Sequence, residues 1–198
     1  MASRKQRIGI FGGSFDPPHI GHLAIAEQAR EQMRLDAVYF VPAYIPPHKR
    51  KRSFARSDHR LTMTRLALRG NKFFKVSNVE IKRAGVSYTV DTVQQFRRRF
   101  PQAELFLLIG SDNLADFQKW KSYKSILTAA TLLVYPRSGT ASSKEASFSS
   151  RKVFFVKGEF LDISSSSIRI AASAKHSIRY LVPDAVRSYI IKKKLYRR

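Results

Sequence analysis

Apolar positions along this chain fall into two kinds of pattern that alternate from one end to the other. Arg7-Ile8-Gly9-Ile10-Phe11 is a short, nearly unbroken apolar run stopped by Gly12-Gly13, the pattern of a buried strand. Beyond the Pro17-Pro18 break, Leu23, Ala26, Ala29 and Met33 recur at spacings of three and four, which marks one face of a helix. Val38-Tyr39-Phe40-Val41 is a second apolar strand, ended by Pro42. Strand, helix and strand in this order imply parallel pairing through a right-handed crossover.

The alternation continues. Ile45 to Phe54 is a Pro-rich, basic loop, and a helix is expected from Ser57, as N-cap, to a stop at Gly70. Phe73 to Ile81 reads as extended. Thr89 to Phe100 reads as a helix with Val90, Val93, Phe96 and Phe100 on one face. Leu105 to Ile109 is apolar without interruption, as a strand buried on both faces must be. Short helices are expected at Asn113 to Phe117 and Ser122 to Ala129, strands at Thr131 to Tyr135 and Val153 to Val156, and closing helices at Ser164 to Ala172 and Pro183 to Ile191. Ser138 to Ser150 has no period and reads as a surface loop. No internal repeat is visible. The pattern predicts an α/β fold built on an open, doubly wound parallel sheet, with ligands at the carboxyl ends of its strands. The 198 residues suit a single domain, 1–198, whose part from about 160 to 198 is helical.

Composition narrows the class without naming a function. A hydrophobic fraction of 43% and an aromatic fraction of 12% suit a folded chain. The absence of cysteine excludes disulfides, Cys-based zinc sites and a thiol nucleophile. Met1 to Arg7 is basic but has no apolar segment of a secretory signal, and no run is long enough for a membrane span, so a cytoplasmic protein is expected. Lys and Arg number 37 against 14 Asp and Glu, a formal charge of +23, which favours anionic ligands. The excess is spread along the chain and comes with no RNA-binding aromatic signature or zinc-finger spacing, so no stable nucleic-acid partner and no membrane partner is expected.

Two segments carry chemistry. After the first strand, Gly12-Gly13 lets backbone approach a ligand, or take φ values that other residues avoid, and Pro17-Pro18 stiffens the approach to the first helix. His19 and His22 then stand three residues apart at a helix start, where free N–H groups and the helix dipole already favour anions. The result is a phosphate cradle with two imidazole donors. Far downstream, Ile163-Ser164-Ser165-Ser166-Ser167-Ile168-Arg169 offers a capping serine, further hydroxyls and, one turn later, a planar cationic fork. Alone it is equally an ordinary serine-rich cap. Paired with the first segment it supplies the second side of a triphosphate site.

These segments resemble the nucleotidyltransferase superfamily, in which a Thr/His-x-Gly-His motif near the N-terminus pairs with a Ser-Ser-x-x-Ile/Val-Arg motif near the C-terminus. Within it the chain is similar to the bacterial nicotinate-nucleotide adenylyltransferases. The ordered match includes Gly12 to His22, Pro46-Pro47-His48-Lys49, Arg60 with Met63, Glu80, Ser87 to Thr92, Ile109 to Leu114 with Trp120, Pro136-Arg137, Ile163 to Arg169, and Val182-Pro183 with Tyr189-Ile190. The resemblance implies a Rossmann-like nucleotidyltransferase fold that joins ATP and nicotinate mononucleotide, giving nicotinate adenine dinucleotide and pyrophosphate.

It also implies site residues. His19, His22 and Arg169 match the groups on the ATP phosphates, with Ile163, Ser165 and Ser166 in the second ATP motif. Gly12, Ser14 and Phe15 match the loop between ATP and the mononucleotide, and Gly110 and Asp112 the nucleotide-binding end of the central strand, although Asp112 serves equally to cap a helix at Asn113. Thr89 and Trp120 match positions that hold the pyridine ring and its carboxylate. Lys49 and Arg137 are expected on the mononucleotide, while Tyr88 and Asp91 are read as structural. Three departures stand out: Lys121 where the family often has an aromatic, Ser138-Gly139-Thr140 where it usually has Pro-Gly-Tyr, and Ser166 where Thr is common. No carboxylate cluster suggests a dedicated metal site, so Mg²⁺ is expected to arrive on ATP. A homo-oligomer is compatible with this reading. The alternatives are an adenylyltransferase for nicotinamide mononucleotide or phosphopantetheine and, from another class, a basic nucleic-acid-binding module. Class I aminoacyl-tRNA synthetases share the His-Ile-Gly-His string, but this chain is too short for their further domains and lacks a Lys-Met-Ser-Lys-Ser counterpart.

Overall fold

A computed structural model of the chain describes residues 4–46, 55–136 and 152–197. Six strands, β1 (Arg7–Gly13), β2 (Ala37–Pro42), β3 (Phe74–Val76), β4 (Glu104–Gly110), β5 (Thr131–Tyr135) and β6 (Val153–Phe155), form one sheet in the order β3-β2-β1-β4-β5-β6. Every pairing is parallel. Chain direction across the sheet reverses between β1 and β4, where the crossovers leave for opposite faces and open a crevice at the carboxyl ends.

Among the described residues, eight α-helices flank the sheet: α1 (Ile20–Gln32), α2 (Ser57–Ala67), α3 (Val79–Arg83), α4 (Thr89–Arg99), α5 (Ser111–Ala115), α6 (Tyr123–Ala129), α7 (Ser165–Ser173) and α8 (Asp184–Lys192). Strand residues sort between two cores by parity, as the two-residue period requires. Phe11, Phe106, Leu108 and Leu133 join Ala26, Met63, Ile168 and Val186 on the α1, α2, α7 and α8 face. Ile8, Ile10, Leu105, Leu107 and Leu132 join Val90, Val93, Phe96 and Ile126 on the α4 and α6 face. Burial on both faces is why the strand sequences read as continuous apolar runs.

The fold departs from the sequence reading at several points. The stretch expected to be extended over Phe73 to Ile81 pairs with β2 for three residues only, Val38↔Phe74 to Phe40↔Val76, and then turns into α3. The turn takes Val79 and Glu80 inward, where Glu80 accepts a hydrogen bond from Thr92. Arg56, rather than Ser57, occupies the N-cap of α2, with no side-chain cap bond. The helix expected at Asn113 begins two residues earlier, and a 3-10 turn over Phe117–Lys119 follows it. Asp112 therefore sits within the first turn of α5 and is not its cap. The loop expected at Ser138 to Ser150 lies outside the described residues, as does most of the basic loop ending at Phe54.

Candidate active site at the sheet crossover

The loop leaving β1 is held by buried polar bonds. Neither Gly12 nor Gly13 adopts a positive φ; Phe15 does, at 47°. The glycines serve contact instead of backbone freedom. A Cβ on Gly13 would lie 3.0 Å from the Phe15 ring, whereas one on Gly12 would meet no atom within 4 Å, leaving that backbone open to a ligand. Phe15 itself is 1% exposed and packs edge-on against Phe11 and His22, so its side chain belongs to the core.

Asp16 is fully buried and ties four parts of the chain together. Its carboxylate accepts a hydrogen bond from the Tyr196 hydroxyl at 2.7 Å and from the Ala55 N–H at 3.3 Å. The Arg169 guanidinium donates to its backbone carbonyl at 2.8 Å, while the carboxylate stays 3.9 Å away. Burial pushes the Asp16 carboxyl above the ordinary carboxylate range, against the pull of Tyr196 and then Arg169. Arg60, also buried, donates to the carbonyls of Ser14, Tyr44 and Ala55 at 2.9 to 3.0 Å and so fixes the loop from below. Ser165 adds a bond to the Pro17 carbonyl at 2.8 Å, and Ser164 caps α7 by accepting from the Ser167 N–H.

At the start of α1, the His19 and His22 rings stack with centroids 3.6 Å apart. The His19 backbone N–H donates to His22 Nδ1 at 3.2 Å. An accepting Nδ1 leaves the neutral ring's proton on Nε2, so His22 carries a donor on its far side. Gly21 leaves room for the ring: a Cβ would lie tightly, 3.1 Å from His19 Nδ1, and 3.4 Å from the Leu161 carbonyl. The Ile20 N–H donates to the Leu181 carbonyl, binding this helix start to the C-terminal segment.

Two cavities meet at the β1–β4 crevice. The first, about 320 Å³, is lined by His19, His22, Asp112, Asp162, Ile163 and Ser164. The second, about 270 Å³, is lined by Gly12, Ser14, Thr89, Gly110, Trp120 and Lys121 among others. Tyr135, at the end of β5, belongs to the wall of both. In the second, Trp120 leans on Phe117 with ring centroids 5.3 Å apart, and the Lys121 ammonium lies 4.5 Å from the centre of the Tyr88 ring. Glu80 and Thr92, also in its lining, share a 2.6 Å hydrogen bond, and burial raises the Glu80 carboxyl above its usual range while the Thr92 bond opposes the shift. Asp112 bends back over Gly110, where a Cβ would clash with its carboxylate. Among the described residues no group of three or more His, Asp or Glu is disposed to hold a metal ion.

The residues named from the sequence are thus partly gathered and partly not. His19, His22, Asp112 and Ile163 line the first cavity, and Gly12, Ser14, Gly110, Thr89 and Trp120 the second. Ser165, Ser166 and Arg169 line neither; Ser165 and Arg169 clamp the β1 loop, and Ser166 Oγ accepts from Arg169 at 3.2 Å. Lys49 and Arg137 lie outside the described residues. Tyr88, read as structural, lines the second cavity. Sequence reasoning missed the supporting roles of Asp16, Arg60 and Tyr196. A lone acid in the apolar Phe15-Asp16-Pro17 setting was a usable signal for the first. Nothing local flags Tyr196.

The family model described as cytidylyltransferase-like matches residues 10–171. A protein of Salinibacter ruber named a probable nicotinate-nucleotide adenylyltransferase is 40% identical over 190 residues, 96% of this chain and 97% of that one. One of the same name from Exiguobacterium sibiricum is 42% identical over 190 residues, 96% of this chain and 98% of that one. Among solved structures, the Plasmodium falciparum nicotinic acid mononucleotide adenylyltransferase complexed with NaAD superposes with a TM-score of 0.83 at 19% identity, covering 96% of this chain and 97% of that one. That likeness is one of fold.

Proposed function

The chain belongs to the cytidylyltransferase-like family and, within it, to the nicotinate-nucleotide adenylyltransferases, and on that premise we propose how its site transfers AMP from ATP to nicotinate mononucleotide. The observation that carries the proposal is the pair of cavities meeting at the crossover, histidines lining one and Thr89 with Trp120 lining the other. ATP phosphates take the first and the pyridine nucleotide the second. A phosphate oxygen of the mononucleotide forms the new bond to the α-phosphorus, the bond to the β-phosphate oxygen breaks, and pyrophosphate leaves with the electron pair.

The protein supplies alignment and charge neutralisation, with no covalent intermediate. His22, through Nε2–H, and His19 act on the phosphoryl oxygens. Arg169 adds fixed positive charge from the second turn of α7, and Gly12 offers open backbone between the two ligands. Mg²⁺ arriving with ATP would add charge neutralisation, held by phosphates and water, with Asp112 and Asp162 the carboxylates lining that cavity. Trp120 stacks on the pyridine ring and Thr89 bonds its carboxylate, toward which Lys121 contributes a cation. Residues 1–198 act as one nucleotidyltransferase unit, with the reaction in the cytoplasm; no helix among the described residues is long and apolar enough to cross a membrane. The test is pyrophosphate release from ATP with nicotinate or nicotinamide mononucleotide in parallel. Fast release with the acid and slow release with the amide is expected. Release with neither would overturn the proposal.

A further inference from the structure

Resting on the assignment of Arg169 to the phosphates, we propose that Tyr196 is a positioning residue that restrains the Asp16 carboxylate and so keeps Arg169 available to ATP. The Asp16 carboxylate oxygen nearest the Arg169 guanidinium stays 3.9 Å away, and Arg169 bonds the Asp16 carbonyl and Ser166 instead. The other carboxylate oxygen is occupied by the Tyr196 hydroxyl at 2.7 Å, and the Ala55 N–H is shared between the two oxygens at 3.3 and 3.4 Å. A fully buried carboxylate that lost this donor has Arg169 as its nearest mobile cation, because every donor-bearing arm of Arg60 is committed to a backbone carbonyl. The captured fork would then exchange its bond to the Asp16 carbonyl for the buried carboxylate and be drawn deeper into the loop, further from ATP.

The backbone is shaped for this contact. After α8, Lys194 and Tyr196 both adopt left-handed conformations, at φ 50° and 64°. Residues other than glycine rarely adopt this conformation. Together the two turn the tail back so that the Tyr196 ring packs on the same core as Phe11 and Met63 and its hydroxyl reaches Asp16.

The test is steady-state kinetics and thermal unfolding of Tyr196→Phe, Asp16→Asn, the double variant and Arg169→Ala. Tyr196→Phe should lower kcat on the order of tenfold, as misplacement of a charge partner does, and leave the mononucleotide KM unchanged. The double variant should recover most of that loss, since a neutral amide attracts Arg169 far more weakly than a carboxylate does, even while its Tm falls further. A merely structural network predicts the reverse, a double variant no more active than Tyr196→Phe, and that result overturns the proposal. Should Tyr196→Phe fail to fold, Asp16→Asn decides alone. It should lose stability and keep most of its kcat, and a fall as deep as that of Arg169→Ala refutes the restraint. Wild-type enzyme inactive with both mononucleotides would instead refute the functional reading beneath it.

Discussion

The cavity beside His19 and His22 draws its walls from both ends of the chain, whereas the one beside Trp120 is built largely from the middle. The first is held by polar bonds across great sequence separation: Ser165 to Pro17, Arg169 to Asp16, and the Ile20 N–H to Leu181. The second is held by packing and local hydroxyl bonds, with Trp120 on Phe117, Lys121 on Tyr88 and Thr92 on Glu80. The difference matches the ligands proposed for the two cavities. A triphosphate presents charge that moves during reaction, so its donors must be pinned before it arrives. A pyridine ring presents a flat apolar face and one polar group, which packing and a few hydroxyls suffice to select. Lesions in the first cavity should therefore appear in kcat, and lesions in the second in KM and selectivity.

The largest effect should come from His22→Ala. Loss of a donor to charge that develops in the transition state costs about 2.7–4 kcal/mol, so kcat should fall roughly 10²- to 10³-fold with a smaller change in the mononucleotide KM. A variant as active as wild type would break the contrast at its strongest point. Trp120→Ala should do the converse, raising the mononucleotide KM roughly tenfold, in line with about 1–3 kcal/mol per stacked ring, with kcat much less affected. If kcat bears the loss instead, the two cavities are not separable in function.

Smaller effects sharpen the picture. Lys121 is exposed, so its attraction for the nicotinate carboxylate is screened. Lys121→Met should reduce the ratio of kcat/KM for the acid over the amide by only about two- to fivefold. An unchanged ratio would leave carboxylate recognition to the hydroxyls and backbone. Glu80→Gln tests the cavity's floor through pH. Burial raises the Glu80 carboxyl in the folded state, so its stabilising contribution is full below the unfolded pKa and is lost as pH rises through the folded value. The glutamine variant should thus melt roughly 2–4 °C above wild type near neutrality, with the difference vanishing in acid. A difference constant with pH would assign the effect to packing alone.

Much of the architecture was legible because periodicity is a local property. The parallel α/β alternation, and the Val90, Val93 and Phe96 face of α4, arise from spacing and are reproduced in the fold. The Phe73 to Ile81 stretch was misread because its composition suits a strand, while the burial of Glu80 against Thr92 that bends it depends on α4. The paired motifs were legible as chemistry, two histidines at a helix start and a serine cap followed by an arginine. How they meet was not.

What the sequence by itself determined is which residues bear charge, hydroxyls and open backbone, and which segments alternate between strand and helix. The tertiary structure decided the rest. It made Phe15 a core residue, set Gly13 against its ring, gave Arg169 the β1 loop as its partner, and brought the third residue from the end under the first motif. The physical reason is range. Helical and strand periods act over a few residues, but a buried carboxylate takes its partners from whatever the sheet crossover brings within hydrogen-bond reach, and for the Asp16 carboxylate these come from the approach to α2 and the C-terminal tail.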